Sequence, residues 1–115
     1  MSWELIVKQK FSAAHFLLHY SGKCEKMHGH TFELQVQIGV NELDRSGISI
    51  DFTRLKDYLR QIVPDHQVLN DMYDFSPSAE NLARHFFEQI KSTYPVRRVT
   101  VWESEDAGAA YAEDQ

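Results

Sequence analysis

The 115-residue chain has one cysteine, Cys24, so it can close no disulfide within itself. A disulfide-stapled scaffold is excluded, the fold must rest on a packed core, and a reducing compartment is expected. Proline and glycine are sparse, three and five residues, and they build no linker, repeat or low-complexity tract. Positive charge is also in short supply. Twelve Lys and Arg face seventeen Asp and Glu, a formal net charge of −5, and only Lys23/Lys26 and Arg97/Arg98 stand close together. Nucleic acid, held mainly by clustered cations on phosphate, is therefore not an expected partner. An anionic small molecule could still be held locally by a few basic groups. No apolar run nears the roughly 20 residues of a membrane-spanning helix. The opening Met1-Ser-Trp-Glu lacks the charged segment and apolar stretch of a secretory signal, so a cytoplasmic protein without a membrane partner is expected.

What is present is ordinary for a globular protein: 43% hydrophobic and 25% charged residues. The length fits a single domain over 1–115, small enough to gain from oligomerisation. Residues 3–13 alternate, with Trp3, Leu5, Val7 and Phe11 on one parity, and predict a half-buried strand. Residues 30–40 alternate more cleanly, with His30, Phe32, Leu34, Val36, Ile38 and Val40 on one face. Asn41–Gly47 predicts a turn and Ile48–Phe52 a short third strand. The period then changes to helical, with Phe52, Leu55, Tyr58, Leu59, Ile62 and Val63 recurring until Pro64 stops the run. A second helix is predicted from Ser76-Pro77-Ser78, burying Leu82, Ala83, Phe86, Phe87 and Ile90. Val96–Glu103 predicts a fourth strand, and the tail from Ser104 reads as loop. The expected layout is α+β, in the order β-β-β-α-α-β, with two helices on one face of an antiparallel four-stranded sheet.

Chemistry-bearing residues concentrate between Ala14 and His30. His28 and His30 are two apart at the entry to a strand, so they share a face. His15 ends the preceding strand; if the two strands pair as a hairpin, three imidazoles meet at one rim. Three neutral histidines suit zinc and leave a coordination position open, although imidazole also suits iron, copper and nickel. A lone histidine is more commonly a surface or hydrogen-bonded residue, the reading taken for His19 and His85. Cys24 lies in a polar loop beside Lys23 and Lys26, surroundings that favour thiolate; it could equally be a fourth zinc ligand that closes the site. Asp65-His66 is either an ordinary loop pair or part of a proton relay in which the carboxylate orients the ring. Glu103, on the parity of Val99 and Val101, is either the start of a solvated acidic loop or a bidentate acceptor for an amino-amide ring edge.

Taken together, Phe11-Ser-Ala-Ala-His15, Gly22-Lys-Cys24, His28-Gly-His30, Ile50-Asp-Phe52, Asp65-His66 with Leu69-Asn70, Ser78-Ala-Glu80-Asn81-Leu-Ala83, and Glu103 with Tyr111 resemble the 6-pyruvoyltetrahydropterin synthase family, including its 6-carboxytetrahydropterin synthases. The resemblance runs nearly the whole chain. It implies zinc on His15, His28 and His30, a catalytic Cys24 with Asp65 and His66 as its proton-transfer partners, and Glu103 as anchor of the pterin ring. Ser78, Ala79 and Glu80 fall where the family lines the pterin pocket; Ala79 stands where a hydroxyl is usual, which leaves only a backbone contact there. The Cys-x3-His-Gly-His spacing of Cys24 to His30 is similar to the carboxy type. The implied reaction converts 7,8-dihydroneopterin triphosphate to 6-carboxy-5,6,7,8-tetrahydropterin, acetaldehyde and triphosphate, for queuosine or another deazapurine. The implied architecture is the tunnelling fold, a homo-oligomeric barrel (hexamer or tetramer) with sites between subunits. The alternatives are 6-pyruvoyltetrahydropterin formation or dihydroneopterin side-chain cleavage in the same pocket, and, in another class, a non-enzymatic zinc-stabilised binding domain. A metal hydrolase would need a general base near the metal, and Glu25 and Glu33 follow no known spacing for it.

Overall fold

The structure, a computed structural model, describes residues 3–20 and 26–113; Cys24 and Lys23 lie outside them. Two long strands form its centre. β1 (Trp3–His15) and β2 (His28–Val40) pair antiparallel over their whole lengths, from Trp3↔Val40 to His15↔His28. Their alternation works as the sequence predicts. Val7, Phe11, Ala13 and His15 of β1 are buried, as are Phe32, Leu34, Val36, Ile38 and Val40 of β2, while the opposite parity faces outward. Both strands extend past the limits read from the sequence, and the extra residues include His15 and His28.

Among the described residues the sheet has five strands rather than four, in the order β3-β1-β2-β4-β5. β3 (Gln67–Val68) runs parallel to the end of β1, and β5 (Gly108–Tyr111) lies antiparallel to β4 (Val96–Trp102). β5 forms in the tail expected to be loop. Its Gly-Ala-Ala core has little strand propensity, and Tyr111 against Phe87, centroids 5.1 Å apart, supplies the packing that holds it. Gly108 is required at the start of β5, because a Cβ there would meet the Val101 carbonyl at 2.7 Å. Among the described residues, the outer edge of β1 from Trp3 to Phe11 pairs with no strand.

The third strand expected at Ile48–Phe52 does not form. The Asp44 carboxylate accepts from the Ser46 and Ile48 amides and holds this stretch in a turn. Asp51 then accepts from Thr53 N at 2.8 Å and caps α1 (Phe52–Ile62). Ile48 and Phe52 are 47% and 53% exposed, so their alternation is not that of a sheet face. Among the described residues there are three helices rather than two: a single turn, α2 (Leu69–Met72), precedes α3 (Ala79–Lys91). Ser78 caps α3 through Oγ, which accepts from Asn81 N. Leu82, Ala83, Phe86, Phe87 and Ile90 are buried, and Phe86 meets Phe11, itself stacked on Phe32 at 5.1 Å. Full burial of each such ring contributes about 1.5–3 kcal/mol. No helix among the described residues is long and apolar enough to cross a membrane.

Candidate metal centre

The β1–β2 register sets His15 opposite His28 and Ala13 opposite His30. All three rings then stand on the helix-covered face at one end of the sheet. Their centroids are 4.7 Å (His15–His28), 5.2 Å (His15–His30) and 4.8 Å (His28–His30) apart, and one nitrogen from each lies within 4.8 Å of the others. His15 is only 1% exposed. Its Nδ1 is 2.7 Å from the Pro77 carbonyl, and His28 Nδ1 is 2.7 Å from the Lys26 carbonyl. A carbonyl can only accept, so in both rings Nδ1 carries the proton and Nε2 of the neutral ring keeps its lone pair.

Those lone pairs have little to bond. Among the described residues, buried Nε2 of His15 and of His30 finds no hydrogen-bond partner, an arrangement that costs about 1–3 kcal/mol per group if left so. Glu103 brings a further acceptor, with its carboxylate oxygens 3.8 Å from His15 Nε2 and 3.5 Å from His30 Nε2. Converging acceptors need a positive particle between them. A proton on His15 is disfavoured: burial lowers its pKa, and the Pro77 bond and the Glu103 charge offset this only in part. The cluster could hold a metal ion, and the donor set, three imidazoles of which two have their tautomers fixed by carbonyls, fits zinc.

The other sequence-derived residues fall into two places. Glu103 follows β4, its amide donating to Ala107 O at 2.9 Å. With Ala79, Glu80 and Ala107–Ala109 it lines a recess of about 200 Å³. Ser78 spends its hydroxyl on the helix cap instead. Ala79 and Glu80 sit in the first turn of α3, whose amides have no preceding carbonyl to bond.

Asp65 and His66 lie elsewhere. Asp65 Oδ1 accepts from Ser12 N at 2.8 Å and Oδ2 is 2.8 Å from His66 Nδ1. These bonds hold the Asp65 carboxyl below its ordinary range, the Ser12 amide first. The His66 amide donates to Ser12 O, and the residue is left-handed, φ 58°. Its 83% exposed ring is outside the three-histidine cluster. It lines a recess together with Ser12, Ala13, Ala14, Gly29 and His30. Sequence reasoning gave no role to Asn70, which bonds the backbone beside His15, or to the Pro77 and Lys26 carbonyls. His19 is exposed as expected, whereas His85 is packed among Tyr73, Phe75 and Phe86.

Fold and site together define a small α+β domain with a three-histidine centre at the rim of its sheet. Residues 4–114 match the profile of 6-pyruvoyl tetrahydropterin synthase, and the chain belongs to that family of pterin enzymes. An Archaeoglobus fulgidus protein, provisionally named a 6-carboxy-5,6,7,8-tetrahydropterin synthase, is 35% identical over 95% of this chain and 96% of its own. A Pyrococcus furiosus dihydroneopterin monophosphate aldolase is 32% identical over 94% and 96%. Among solved structures, the Caenorhabditis elegans 6-pyruvoyl tetrahydropterin synthase superposes with a TM-score of 0.84 at 25% identity, covering 99% of this chain and 97% of that one.

Proposed function

We propose that this chain is a zinc-dependent 6-carboxy-5,6,7,8-tetrahydropterin synthase, taking 7,8-dihydroneopterin triphosphate to the carboxypterin, acetaldehyde and triphosphate. The observation that carries it is the convergence of His15, His28 and His30, with Nε2 of His15 and His28 left free of a proton, in a family whose relatives include proteins of that name. These three residues would hold the metal; bound there, zinc supplies Lewis acidity toward the hydroxyls of the substrate side chain. Glu103 accepts two hydrogen bonds from the amino-amide edge of the pterin, and its place in the recess with Ala79 and Glu80 supports that role. The first-turn amides of α3 replace the hydroxyl that Ala79 lacks.

Cys24 and His66 move protons on opposite sides of the substrate side chain, and Asp65 fixes the His66 tautomer and steadies its charged form. The His66 ring lies outside the three-histidine cluster, tied through Asp65 to the Ser12 amide on the outer edge of β1. We infer that a complete site draws His66 from a second copy, in a cytoplasmic homo-oligomer. The open edge of β1 gives such copies a place to pair.

A second reading is cleavage of the dihydroneopterin side chain, favoured by the nearly full-length aldolase relative. Incubating zinc-loaded protein with dihydroneopterin triphosphate and with the monophosphate, with products read by mass spectrometry, separates the two. Carboxypterin and acetaldehyde are expected. Phosphorylated glycolaldehyde with 6-hydroxymethyl-7,8-dihydropterin would establish the aldolase, and no turnover of either substrate would sink both.

A further inference from the structure

Phe16 follows His15 at the point where β1 has run out of neighbours. The ladder with β2 ends at His15↔His28, and the pairing with β3 ends at Ala14↔Val68. The Phe16 peptide is part-buried, so its N–H and C=O still need partners. Asn70 supplies both: Phe16 N–H donates to Asn70 Oδ1 at 3.0 Å, and Asn70 Nδ2 donates to Phe16 O at 3.0 Å. The orientation of the carboxamide is unambiguous, because a backbone amide only donates and a backbone carbonyl only accepts. Two residues past Val68, where the main chain has left the sheet to begin α2, the Asn70 side chain stands in for a peptide and adds one more rung to the β1–β3 pairing.

We propose that Asn70 is a positioning residue for the metal centre, acting on His15 through the Phe16 peptide. This rests on the reading of His15 as a metal ligand. His15 is held from its ring by the Pro77 carbonyl, and the chain beyond it is held again where Leu18 N donates to Ser76 Oγ at 2.9 Å. Asn70 is the attachment between these, one bond from the His15 backbone. Metal–ligand distances tolerate only about ±0.2 Å, so a strand end that frays degrades the centre while the rest of the sheet stays intact. No other standard side chain of this length offers a donor and an acceptor in one plane. Aspartate would set a carboxylate oxygen against the Phe16 carbonyl, and serine is too short to reach both groups.

The test is the zinc dissociation constant by competition with a chromophoric chelator, together with the melting temperature of the metal-free protein, for wild type, Asn70→Asp, Asn70→Ser and Ile62→Ala. Ile62 is partly buried on α1 against the core and serves as a control for general destabilisation. Both Asn70 variants are expected to bind zinc about 10- to 100-fold more weakly, the usual effect of losing an outer-shell partner. Ile62→Ala should lower the melting temperature and leave affinity within twofold. If the Asn70 variants bind like wild type, or if Ile62→Ala weakens binding as much as they do, Asn70 does not position the ligand. Failure of wild type to bind zinc would instead refute the metal reading itself. Asn70→Ser is the milder change and supplies the measurement if the aspartate variant does not fold.

Discussion

The carbonyls of Pro77 and Lys26 decide which nitrogen of His15 and His28 is free, and that choice determines what replacing a ring will do. On the proposed metal reading His28 is a ligand, so His28→Ala should lose metal affinity by more than about 100-fold and turnover with it, read by metal analysis and assay in parallel. Cys24→Ala should keep its zinc and lose about 100-fold or more in turnover, the scale of a missing proton-transfer group; metal lost from that variant would mark Cys24 as a ligand instead. Glu103→Gln should keep the metal and raise KM for the pterin roughly tenfold, as expected for a charged hydrogen bond weakened to a neutral one. A fall in zinc affinity there would make Glu103 a ligand. The histidines could be found in the sequence because side-chain type and a two-residue spacing carry their chemistry. The Pro77 carbonyl could not be, since every residue has one and only the folded chain brings residue 77 to residue 15.

Elements were legible where their period was long and undisturbed. β1, β2, α1 and α3 each bury a continuous stripe, so spacing alone located them. The failures share a cause: local alternation was overruled by a specific side-chain bond or by distant packing. Ile48, Ile50 and Phe52 alternate, but Asp44 and Asp51 bind the neighbouring amides and commit the chain to a turn and a helix start. β5 and β3 have weak sequences and exist because a long strand beside them offers free backbone groups. At this scale the Ser78 cap is the contact most open to test. Ser78→Ala should cost about 1 kcal/mol, a fall of some 4 °C in melting temperature for a chain of this size. It should also loosen the first turn that borders the Glu103 recess.

For the molecule as a whole, the buried His15 and the partly buried His85 tie stability to pH. Burial lowers the pKa of both His15 and His85. In the unfolded chain each takes up a proton near pH 6.5, while the folded chain resists it, so the unfolded state binds more protons and stability rises with pH. The metal-free protein should therefore gain in urea midpoint as pH increases from about 5 to about 7 and level off above the unfolded value. His85→Gln should flatten part of that slope. The separation of the Asp65–His66 pair from the three-histidine cluster has a consequence of another kind. Two dead chains can rescue each other. When His28→Ala and His66→Ala chains are co-expressed, a pocket that takes its imidazole centre from the second and its ring at 66 from the first is whole, and in a random mixture about one pocket in four is of that kind. Activity from this pairing, and none from either parent alone, would show that ownership of the reaction is divided between neighbours; a silent mixture would return the whole chemistry to a single chain.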